Sequence, residues 1–415
     1  RPCRLCHTND QMHLLYEFGP QPAAGYLDTD EATAAAAPRF DLALALCSAC
    51  GYVQQANDNG RDILINRVYA AYQATYSMSA SVSTYMQTFL ARAIQESGAA
   101  AGDVVVEIGS NDGRLLELLV KQGYRAIGFE PSSNLNTLAR DRGGEVIEDF
   151  LSMASAKAYA ETYPPAKLVL TRHTLEHAFE PLDFLQGIAA ILAPGGMAVI
   201  EVPYIRPQMV DNHVEAMTFQ HVSFFSISSM RHALEKSGLR LHDLAFVQMD
   251  GGSMVVYAKK AAHGSSERAV DAVLASEAAL GLNRPTAYTA FFERVTAMRR
   301  TVGTFLTDAA SRGLLSVGYG GGTKGQSILN ILGLDRGHLQ FVMDDVPDNA
   351  GKFIPGTHIQ IVPSSDHRVA RPDVVLLTAP THIREILDKE AARQAAGTLF
   401  ISTVPDWHFA GRGQL

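Results

Sequence analysis

The apolar residues between positions 103 and 202 are grouped in short blocks. Runs rich in β-branched residues alternate with segments whose apolar residues recur at helical spacing, the patterns typical of buried strands and amphipathic helices. They predict strands at Val104–Ile108, 126–129, 168–171 and 197–202, and helices at 113–122, 133–142 and 181–192. Because strands and helices alternate, we expect a parallel sheet with helices on both faces.

The segments on either side have other patterns. Residues 1–66 consist of short, turn-rich pieces around four cysteines, and residues 68–97 have helical periodicity. Residues 262–310 are mostly helical, after which strands and helices alternate again as far as position 378. We therefore predict an α/β protein of three domains, with a smaller α/β domain at the C-terminus: 1–66, 67–262 and 263–415.

The composition is that of an ordinary globular protein. The 415 residues are 47% hydrophobic, which suffices for two or three cores. The 35 basic and 43 acidic residues give a net charge of -8, which argues against nucleic-acid binding. No apolar run approaches the roughly 18 residues of a membrane helix. We expect a cytoplasmic protein, a monomer or small homo-oligomer, with no membrane partner.

The four cysteines form two pairs, Cys3 with Cys6 and Cys47 with Cys50. Two residues separate the thiols of each pair, which lets both sulfurs reach one tetrahedral zinc ion. Disulfides are less favoured, because this gap gives poor pairs and nothing indicates an oxidising compartment. Four thiolates complete the coordination of zinc, so we expect the metal to be structural.

The turn after strand Val104–Ile108 indicates a ligand site. Gly109 lies in a turn between a strand and a helix, where backbone can approach a ligand closely. Domains that bind nicotinamide dinucleotides share such a turn, but their G-x-G-x-x-G motif is absent here. The helix, Pro-Gly-Gly turn and strand across residues 181–202 resemble a later motif of class I methyltransferases, which favours S-adenosylmethionine as the cofactor.

Side chains near this turn suit the same cofactor. Glu130 ends the second strand, where its carboxylate can accept hydrogen bonds from both ribose hydroxyls. Asp149 and Phe150 follow a third strand, expected between the helix at 133–142 and the strand at 168–171, where they can bond the adenine amine and stack on its ring. Ser132 could instead simply cap the following helix. The expected cofactor-binding residues of this region are Glu107, Gly109, Asn111, Asp112, Glu130, Pro131, Ser132, Asp149 and Phe150.

The cysteine pairs, the methyltransferase-like core and a C-terminal glycine-rich α/β domain, in this order, resemble the nucleotide-sugar C-methyltransferases along essentially the whole chain. That family has a Tyr-x-Glu-His motif before a Phe-Ser pair, and here Thr218, Phe219, Gln220 and His221 precede such a pair. A second family histidine follows the fourth strand of the core, the one predicted at 168–171, where this chain has His177. Residues 317–325, 344–348 and 355–357 resemble the family's C-terminal segments.

This resemblance implies methyl transfer to a carbon, C3, of a nucleotide-diphosphate-linked deoxy-4-keto-sugar. A base must remove a proton next to the ketone, and the enolate then attacks the methyl group of the cofactor. Imidazole, with an ordinary pKa of about 6.5, suits the base. His221 and His177 are the candidates, and the sequence leaves open which is the base and which holds the enolate oxygen. The resemblance also places Tyr76 near the cofactor, and we expect His173 there.

Two residues depart from the family pattern. Thr218 and Gln220 stand where the resemblance leads us to expect Tyr and Glu. A threonine hydroxyl is too weak an acid to replace a phenol, and an amide cannot act as a base. Either the histidines transfer the proton alone, or the substrate, attacked atom or stereochemistry differs. Methylation of oxygen or nitrogen, for which a single histidine base suffices, is the enzymatic alternative.

The C-terminal glycine-rich turn resembles a phosphate-binding helix N-terminus, and Lys324 adds a positive charge. It could hold the diphosphate of the sugar nucleotide, or it could merely allow a tight junction in a domain that acts as a lid. The expected substrate-binding residues are Tyr204, Thr218, Gln220, Tyr319, Gly320, Thr323, Lys324 and Asp344. A zinc-ribbon interaction protein with a degenerate methyltransferase core is the non-enzymatic alternative, and the intact turn after the first strand argues against it.

Overall fold

The structure is a computed structural model that describes residues 1–25, 27–70, 72, 75, 80–249, 251–260 and 268–410. The strands of this part of the chain form three sheets. They are β1 Met12–Pro22, β2 Arg39–Cys47, β3 Val53–Gln55, β4 Val104–Ile108, β5 Arg125–Phe129, β6 Glu145–Ile147, β7 Ala166–Arg172, β8 Leu192–Pro203, β9 Ser223–Phe224, β10 Leu239–Val247, β11 Ser253–Lys260, β12 Ser316–Tyr319, β13 Phe341–Asp344, β14 Gln360–Pro363, β15 Val374–Leu377, β16 Leu399–Ser402 and β17 His408–Ala410.

Helices connect and cover these strands. They are α1 Glu31–Ala35, α2 Arg61–Ile63, α3 Ala80–Ser97, α4 Arg114–Lys121, α5 Ser133–Asp141, α6 Met153–Thr162, α7 Pro181–Ile191, α8 Ile205–Val210, α9 Ile227–Lys236, α10 Arg268–Leu280, α11 Thr286–Ser311, α12 Thr323–Leu332, α13 Ile383–Lys389 and α14 Ala391–Ala395. A π-helical segment, Leu64–Tyr69, continues α2. None of the helices described is both long enough and apolar enough to cross a membrane.

The central sheet has the order β10-β11-β8-β7-β4-β5-β6. The five strands from β8 to β6 are parallel, as predicted, and β4 has the predicted bounds. Beyond the predicted strands, β10 and β11 add an antiparallel hairpin that pairs with β8 at one edge of the sheet. A short turn with positive φ at Gly251 and Gly252 reverses the chain, whereas a parallel pair needs a long crossover.

The turn between β4 and α4 requires a glycine at position 113. Gly113 has a φ of +74°, and a Cβ atom there would lie 2.5 Å from Ala139 Cα of α5. We expect Gly113→Ala to lower the free energy of unfolding by roughly 2–5 kcal/mol, since the left-handed backbone costs about 1–2 and the overlap about 1–3 kcal/mol. Urea unfolding followed by circular dichroism measures the loss.

Gly195→Ala is the matched control for this prediction. Gly195 has a φ of +71°, but a Cβ atom there would meet nothing within 4 Å. Its replacement should therefore cost only the backbone strain, about 1–2 kcal/mol. Equal losses in the two variants would show that close packing of the β4–α4 turn against α5 is unimportant.

The N-terminal sheet is more regular than predicted. Short, turn-rich pieces were expected, but the structure has two long antiparallel strands, β1 of 11 residues and β2 of 9 residues. The short strand β3 pairs with the other edge of β2. The fourth strand, β9, comes from the loop after residue 214 and pairs with β3 through Val53 and Phe224. Pairing with β9 therefore attaches this sheet to the segment that carries His221. Sequence periodicity does not indicate such long-range pairing.

The C-terminal sheet has the order β14-β13-β12-β15-β16-β17 and is parallel except for β17. One hydrophobic cluster joins this domain to the others, since it contains Leu44 of β2, Phe219 of the 214–222 loop, Phe291 of α11 and Ile328 of α12. Packing therefore holds the C-terminal domain against the N-terminal sheet. The predicted boundary at 262 lies outside the described residues.

Candidate active site

The four cysteine thiols converge in the N-terminal domain. Cys3 Sγ lies 3.6 Å from Cys50 Sγ and Cys6 Sγ lies 3.4 Å from Cys47 Sγ, with all four sulfurs within 4.8 Å of one another. Four sulfurs bound to zinc at about 2.3 Å are about 3.8 Å apart. The cluster therefore fits one tetrahedral zinc ion.

A cavity of about 490 Å³ opens at the carboxyl ends of β4, β5 and β7. Its walls come from the central domain, from the 214–221 loop and from the N-terminal end of α12. The cavity therefore lies where the central and C-terminal domains meet. The predicted site residues that line it are Gly109, Asn111, Glu130, Pro131, Ser132, Asp149, Phe150, His173, His177, Thr218, Gln220, His221, Thr323 and Lys324.

Backbone amides hold the Glu130 carboxylate at one end of the cavity. Oε2 accepts a hydrogen bond from the Asn111 N–H and Oε1 accepts one from the Ser132 N–H, both at 2.9 Å. Burial raises the pKa of Glu130, and the two amide bonds oppose that effect. Since each carboxylate oxygen retains a second lone pair, Glu130 can still accept hydrogen bonds from neighbouring ribose hydroxyls.

The same end of the cavity suits a nucleoside in shape. Gly109 has a φ of +73°, and a Cβ atom there would lie 2.3 Å from Thr174 Oγ1, so only glycine leaves this turn open. Phe129, Phe150 and Leu151 supply apolar wall close to Glu130. An apolar surface beside a fixed carboxylate fits the adenosine part of S-adenosylmethionine.

Two predicted cofactor residues are not among the lining residues. Glu107 is buried at the end of β4, and burial raises its pKa well above the ordinary value. Asp112 is buried and forms an ion pair with Arg142 at 3.2 Å. Tyr76 lies outside the described residues. The cofactor roles predicted for these three residues stay predictions.

The two predicted histidines lie side by side, with ring centroids 5.0 Å apart. His177 Nδ1 is 2.9 Å from the Gln220 carbonyl oxygen, and His221 Nδ1 is 2.9 Å from the Ala216 carbonyl oxygen. A carbonyl only accepts, so each neutral ring carries its proton on Nδ1 and its lone pair on Nε2. The Tyr69 hydroxyl also lies 3.2 Å from His177 Nδ1.

Glu176 adjoins the histidine pair and is 1% exposed. Burial raises its pKa, but the contact with His173 and the nearby imidazoles of His177 and His221 outweigh burial, so the net shift is downward. His173 Nδ1 lies 3.4 Å from Glu176 Oε1, and His173 Nε2 lies 3.2 Å from Glu201 Oε1. His173 thus bridges two buried carboxylates at the cavity wall.

The residues at the two positions that depart from the family pattern make contacts within the protein. Thr218 Oγ1 accepts a hydrogen bond from Ser327 at 2.9 Å, and the Gln220 side chain donates to the Ala24 carbonyl. Both residues are buried. Gln220 reaches His177 through its backbone carbonyl, and its amide side chain, for which a substrate contact is predicted, ties the loop to the N-terminal domain.

Only part of the predicted C-terminal site reaches the cavity. Thr323 and Lys324 do, whereas Tyr319, Gly320 and Asp344 are not lining residues. The Tyr319 hydroxyl donates to Asp345 at 3.0 Å, and Asp344 accepts from the Gly321 and Val346 amides. These contacts build the turn. Tyr204 likewise donates to Glu277 at 2.8 Å and is not a lining residue.

Sequence reasoning missed several polar lining residues, among them Tyr69, Glu176, Glu215 and Ser327. Two of them carried a signal: Glu176 precedes His177 in the chain, and Ser327 is one helical turn after Thr323. Tyr69 lies in an aromatic-rich helical segment, which is typical of core packing. The sequence around Glu215 shows no motif or spacing that distinguishes it from a surface carboxylate. In the structure, its carboxylate accepts a hydrogen bond from His213 Nδ1 at 2.7 Å.

Comparison with known proteins decides the family. Models for a zinc binding domain, a methyltransferase domain and a C-methyltransferase C-terminal domain match residues 3–64, 82–244 and 248–405. The chain is 31% identical to C-methyltransferase NovU of Streptomyces niveus over 405 residues, 97% of this chain and 95% of NovU. The chain belongs to the C-methyltransferase family. These matches confirm an S-adenosylmethionine-dependent methyltransferase with a zinc-binding N-terminal domain.

Other relatives of this C-methyltransferase share less of the chain. A ubiquinone biosynthesis O-methyltransferase of Caulobacter sp. (strain K31) is 31% identical over 98 residues, 23% of this chain and 39% of the relative. The magnesium protoporphyrin IX methyltransferase of Synechocystis PCC 6803, solved with bound SAH, covers 48% of this chain and 98% of its own at 14% identity, with a TM-score of 0.36. Likenesses this partial are too weak to specify the reaction.

Proposed function

We propose that this C-methyltransferase methylates a carbon, C3, of a nucleotide-diphosphate-linked deoxy-4-keto-sugar by histidine-assisted proton removal. The observation that carries the proposal is the His177–His221 pair, with rings 5.0 Å apart. Both rings line the cavity that also contains Glu130 of the cofactor end and Lys324 of the C-terminal domain. The pair therefore lies where a sugar could meet the cofactor.

Residues of the cofactor end would hold S-adenosylmethionine, with Glu130 on the ribose and Asp149 and Phe150 on the adenine. When bound, S-adenosylmethionine supplies an electrophilic methyl group. The Asn111 and Ser132 amides orient Glu130 before any ligand arrives, which lowers the entropy cost of binding.

We expect Glu130→Ala to weaken binding of S-adenosylhomocysteine roughly 10–100-fold, because bonds to a charged group contribute about 1.5–3 kcal/mol. Isothermal titration calorimetry measures the change. Glu148→Ala removes an exposed carboxylate that does not line the cavity and serves as the control. An unchanged dissociation constant in the Glu130 variant would remove this residue from the cofactor site.

The histidines supply the acid–base chemistry. The two carbonyl contacts hold Nδ1 protonated in both neutral rings, so Nε2 of one ring can take a proton from the carbon next to the ketone. To donate a hydrogen bond from Nε2 to the developing enolate oxygen, the second ring has to enter the step as an imidazolium, with a proton on both of its nitrogens. Neither Thr218 nor Gln220 has to take part, since both side chains have partners within the protein.

The N-terminal end of α12 is the proposed diphosphate site. Thr323 and Lys324 line the cavity there. The N-cap residue of this 10-residue helix is Gly322, so no side chain caps the amides of the first turn. Amide groups of the first helical turn and a lysine together favour an anion. A sugar attached to that diphosphate would extend toward the histidines, because both lie in one cavity.

We expect Lys324→Ala to raise the KM of the nucleotide sugar roughly 10–100-fold, since a bond to a charged group contributes about 1.5–3 kcal/mol. The value of kcat should change little, because the lysine would contact the diphosphate and not the reacting carbon. Steady-state kinetics measure both constants. Lys352→Ala, at a lysine that does not line the cavity, is the control. A KM equal to that of the control would contradict the diphosphate site.

Two experiments test the function itself. Thermal shifts with S-adenosylhomocysteine and with dTDP, UDP, GDP and CDP should show additive increases in Tm for the cofactor product and one nucleotide. Incubating the accepted keto-sugar in D₂O without the methyl donor should exchange the carbon-bound proton. Methyl transfer to the sugar without such exchange would instead support methylation of oxygen or nitrogen, which the departures at Thr218 and Gln220 leave as the second candidate.

A further inference from the structure

The Tyr69 side chain lies between the two ends of the cavity. The centroid of its ring is 6.4 Å from that of Phe150 at the cofactor end and 5.6 Å from that of His177. All three residues line the cavity. Tyr69 ends the π-helical segment Leu64–Tyr69, and π-helical turns are rare and lie frequently at functional sites. The fold therefore brings a phenol next to one of the rings that the proposed reaction uses.

Hydrogen bonds fix the backbone of Tyr69 from the cofactor side. The Ser132 hydroxyl donates to the Tyr69 carbonyl and accepts from the Tyr72 N–H at 3.3 Å. The N–H of Ser132 donates to Glu130 Oε1 at 2.9 Å. The loop that orients the Glu130 carboxylate therefore also holds Tyr69 in place.

The Tyr69 hydroxyl contacts the histidine side of the cavity. It donates to the Gln220 carbonyl at 3.3 Å, and its oxygen lies 3.2 Å from His177 Nδ1. The Gln220 carbonyl, 2.9 Å from the same Nδ1, can only accept, so Nδ1 carries the proton. The Nδ1–H group of His177 is therefore shared between the carbonyl and the phenol oxygen, an arrangement known as a bifurcated hydrogen bond.

The phenol keeps its proton in this position. Burial, with smaller effects of the nearby Tyr72 and Glu176, raises the pKa of Tyr69 well above its ordinary value. A neutral phenol donates its proton to one partner and offers an oxygen lone pair to another. Tyr69 is therefore suited to orient the His177 ring, not to remove a proton itself.

His177 becomes an imidazolium under either assignment of the histidine pair. As the base, its ring takes a proton on Nε2. As the group that holds the enolate oxygen, it enters the step with a proton on both nitrogens. Hydrogen bonds that involve a charged group are stronger than neutral ones. An acceptor at Nδ1–H therefore stabilises the charged ring more than the neutral ring.

We propose that Tyr69 is a positioning residue of the reaction, whose hydroxyl orients His177 and stabilises the imidazolium form of that ring. The inference rests on the proposed function and adds to it a residue that acts through His177. Its location on the π-helical segment gives this segment a part in the acid–base step.

Tyr69→Phe removes the hydroxyl and keeps the ring. We expect kcat and the rate of deuterium exchange into the keto-sugar in D₂O to fall roughly 10–100-fold, the scale of one hydrogen bond to a charged group. The KM of the nucleotide sugar and the dissociation constant of S-adenosylhomocysteine should stay near the wild-type values, because the proposed role concerns the transfer step alone. Tyr124→Phe is the matched control, since the Tyr124 hydroxyl also donates to a carbonyl, that of Ala99, at 3.3 Å and does not line the cavity.

A double variant tests whether Tyr69 acts through His177. In a His177→Ala protein, Tyr69→Phe should cause no further loss of exchange, because the ring that it orients is absent. A further loss as large as that in the wild-type background would show that the hydroxyl acts independently and would overturn the proposal. Wild-type kcat in Tyr69→Phe would overturn it too, as would a loss of S-adenosylhomocysteine affinity equal to the loss of kcat, which indicates a merely structural role.

Deuterium exchange separates this inference from the proposed function. Wild-type protein that transfers the methyl group without exchanging the carbon-bound proton would overturn the histidine-assisted mechanism, and the role of Tyr69 with it. Exchange that is equally fast in wild-type protein and in Tyr69→Phe would overturn the role of Tyr69 and leave the proposed function standing.

Discussion

Replacing His221 with alanine is expected to lower kcat roughly 10²–10⁴-fold, the usual contribution of a positioned acid or base. His221 is one of the two rings that line the cavity with a lone pair on Nε2. The side chain does not hold the cofactor end, which Glu130 and the Asn111 and Ser132 amides form. The dissociation constant of S-adenosylhomocysteine should therefore stay close to the wild-type value. Single-turnover kinetics and calorimetry measure the two effects.

Two further variants complete this test. His242→Ala removes a histidine on β10 that does not line the cavity and should have wild-type kcat. His177→Ala should also be impaired, and the larger loss of solvent deuterium exchange would identify which ring is the base. Wild-type kcat in His221→Ala would show that His221 has no catalytic role.

Replacing Cys47 with serine is expected to remove zinc and to unfold the N-terminal sheet. The binding energy of a structural zinc ion, on the order of 10 kcal/mol, is folding energy, and it is comparable to the whole stability of a small domain. Because β3 pairs with β9, the 214–221 loop should lose its anchor, and turnover should fall as well. Metal analysis and thermal unfolding measure the two losses.

Ser48→Ala is the control for the zinc prediction. Ser48 adjoins Cys47 in the chain, and its hydroxyl donates to Gln11 at 2.9 Å, so its replacement tests the same turn without removing a thiolate. Zinc content and Tm should stay near the wild-type values. A zinc-free Cys47→Ser protein with wild-type Tm and turnover would show that the metal does not stabilise the fold.

The sequence by itself determined the local elements and the residue types of the sites. The strands and helices of the central sheet follow from hydrophobic periodicity, and the C-x2-C spacing indicates zinc without a structure. Gly109 and Glu130 were found because the turn after a parallel strand is a local feature. The family resemblance added His177 and His221, which line the same cavity in the structure.

Only the tertiary structure decided which distant residues share the site. Pairing of β9 with β3, the bond from Gln220 to Ala24 and the approach of α12 to the histidines all join segments far apart in the chain. A polar side chain can face solvent, substrate or another domain with the same local sequence. Packing between domains selects among these, because it determines which donors and acceptors are buried within reach of one another.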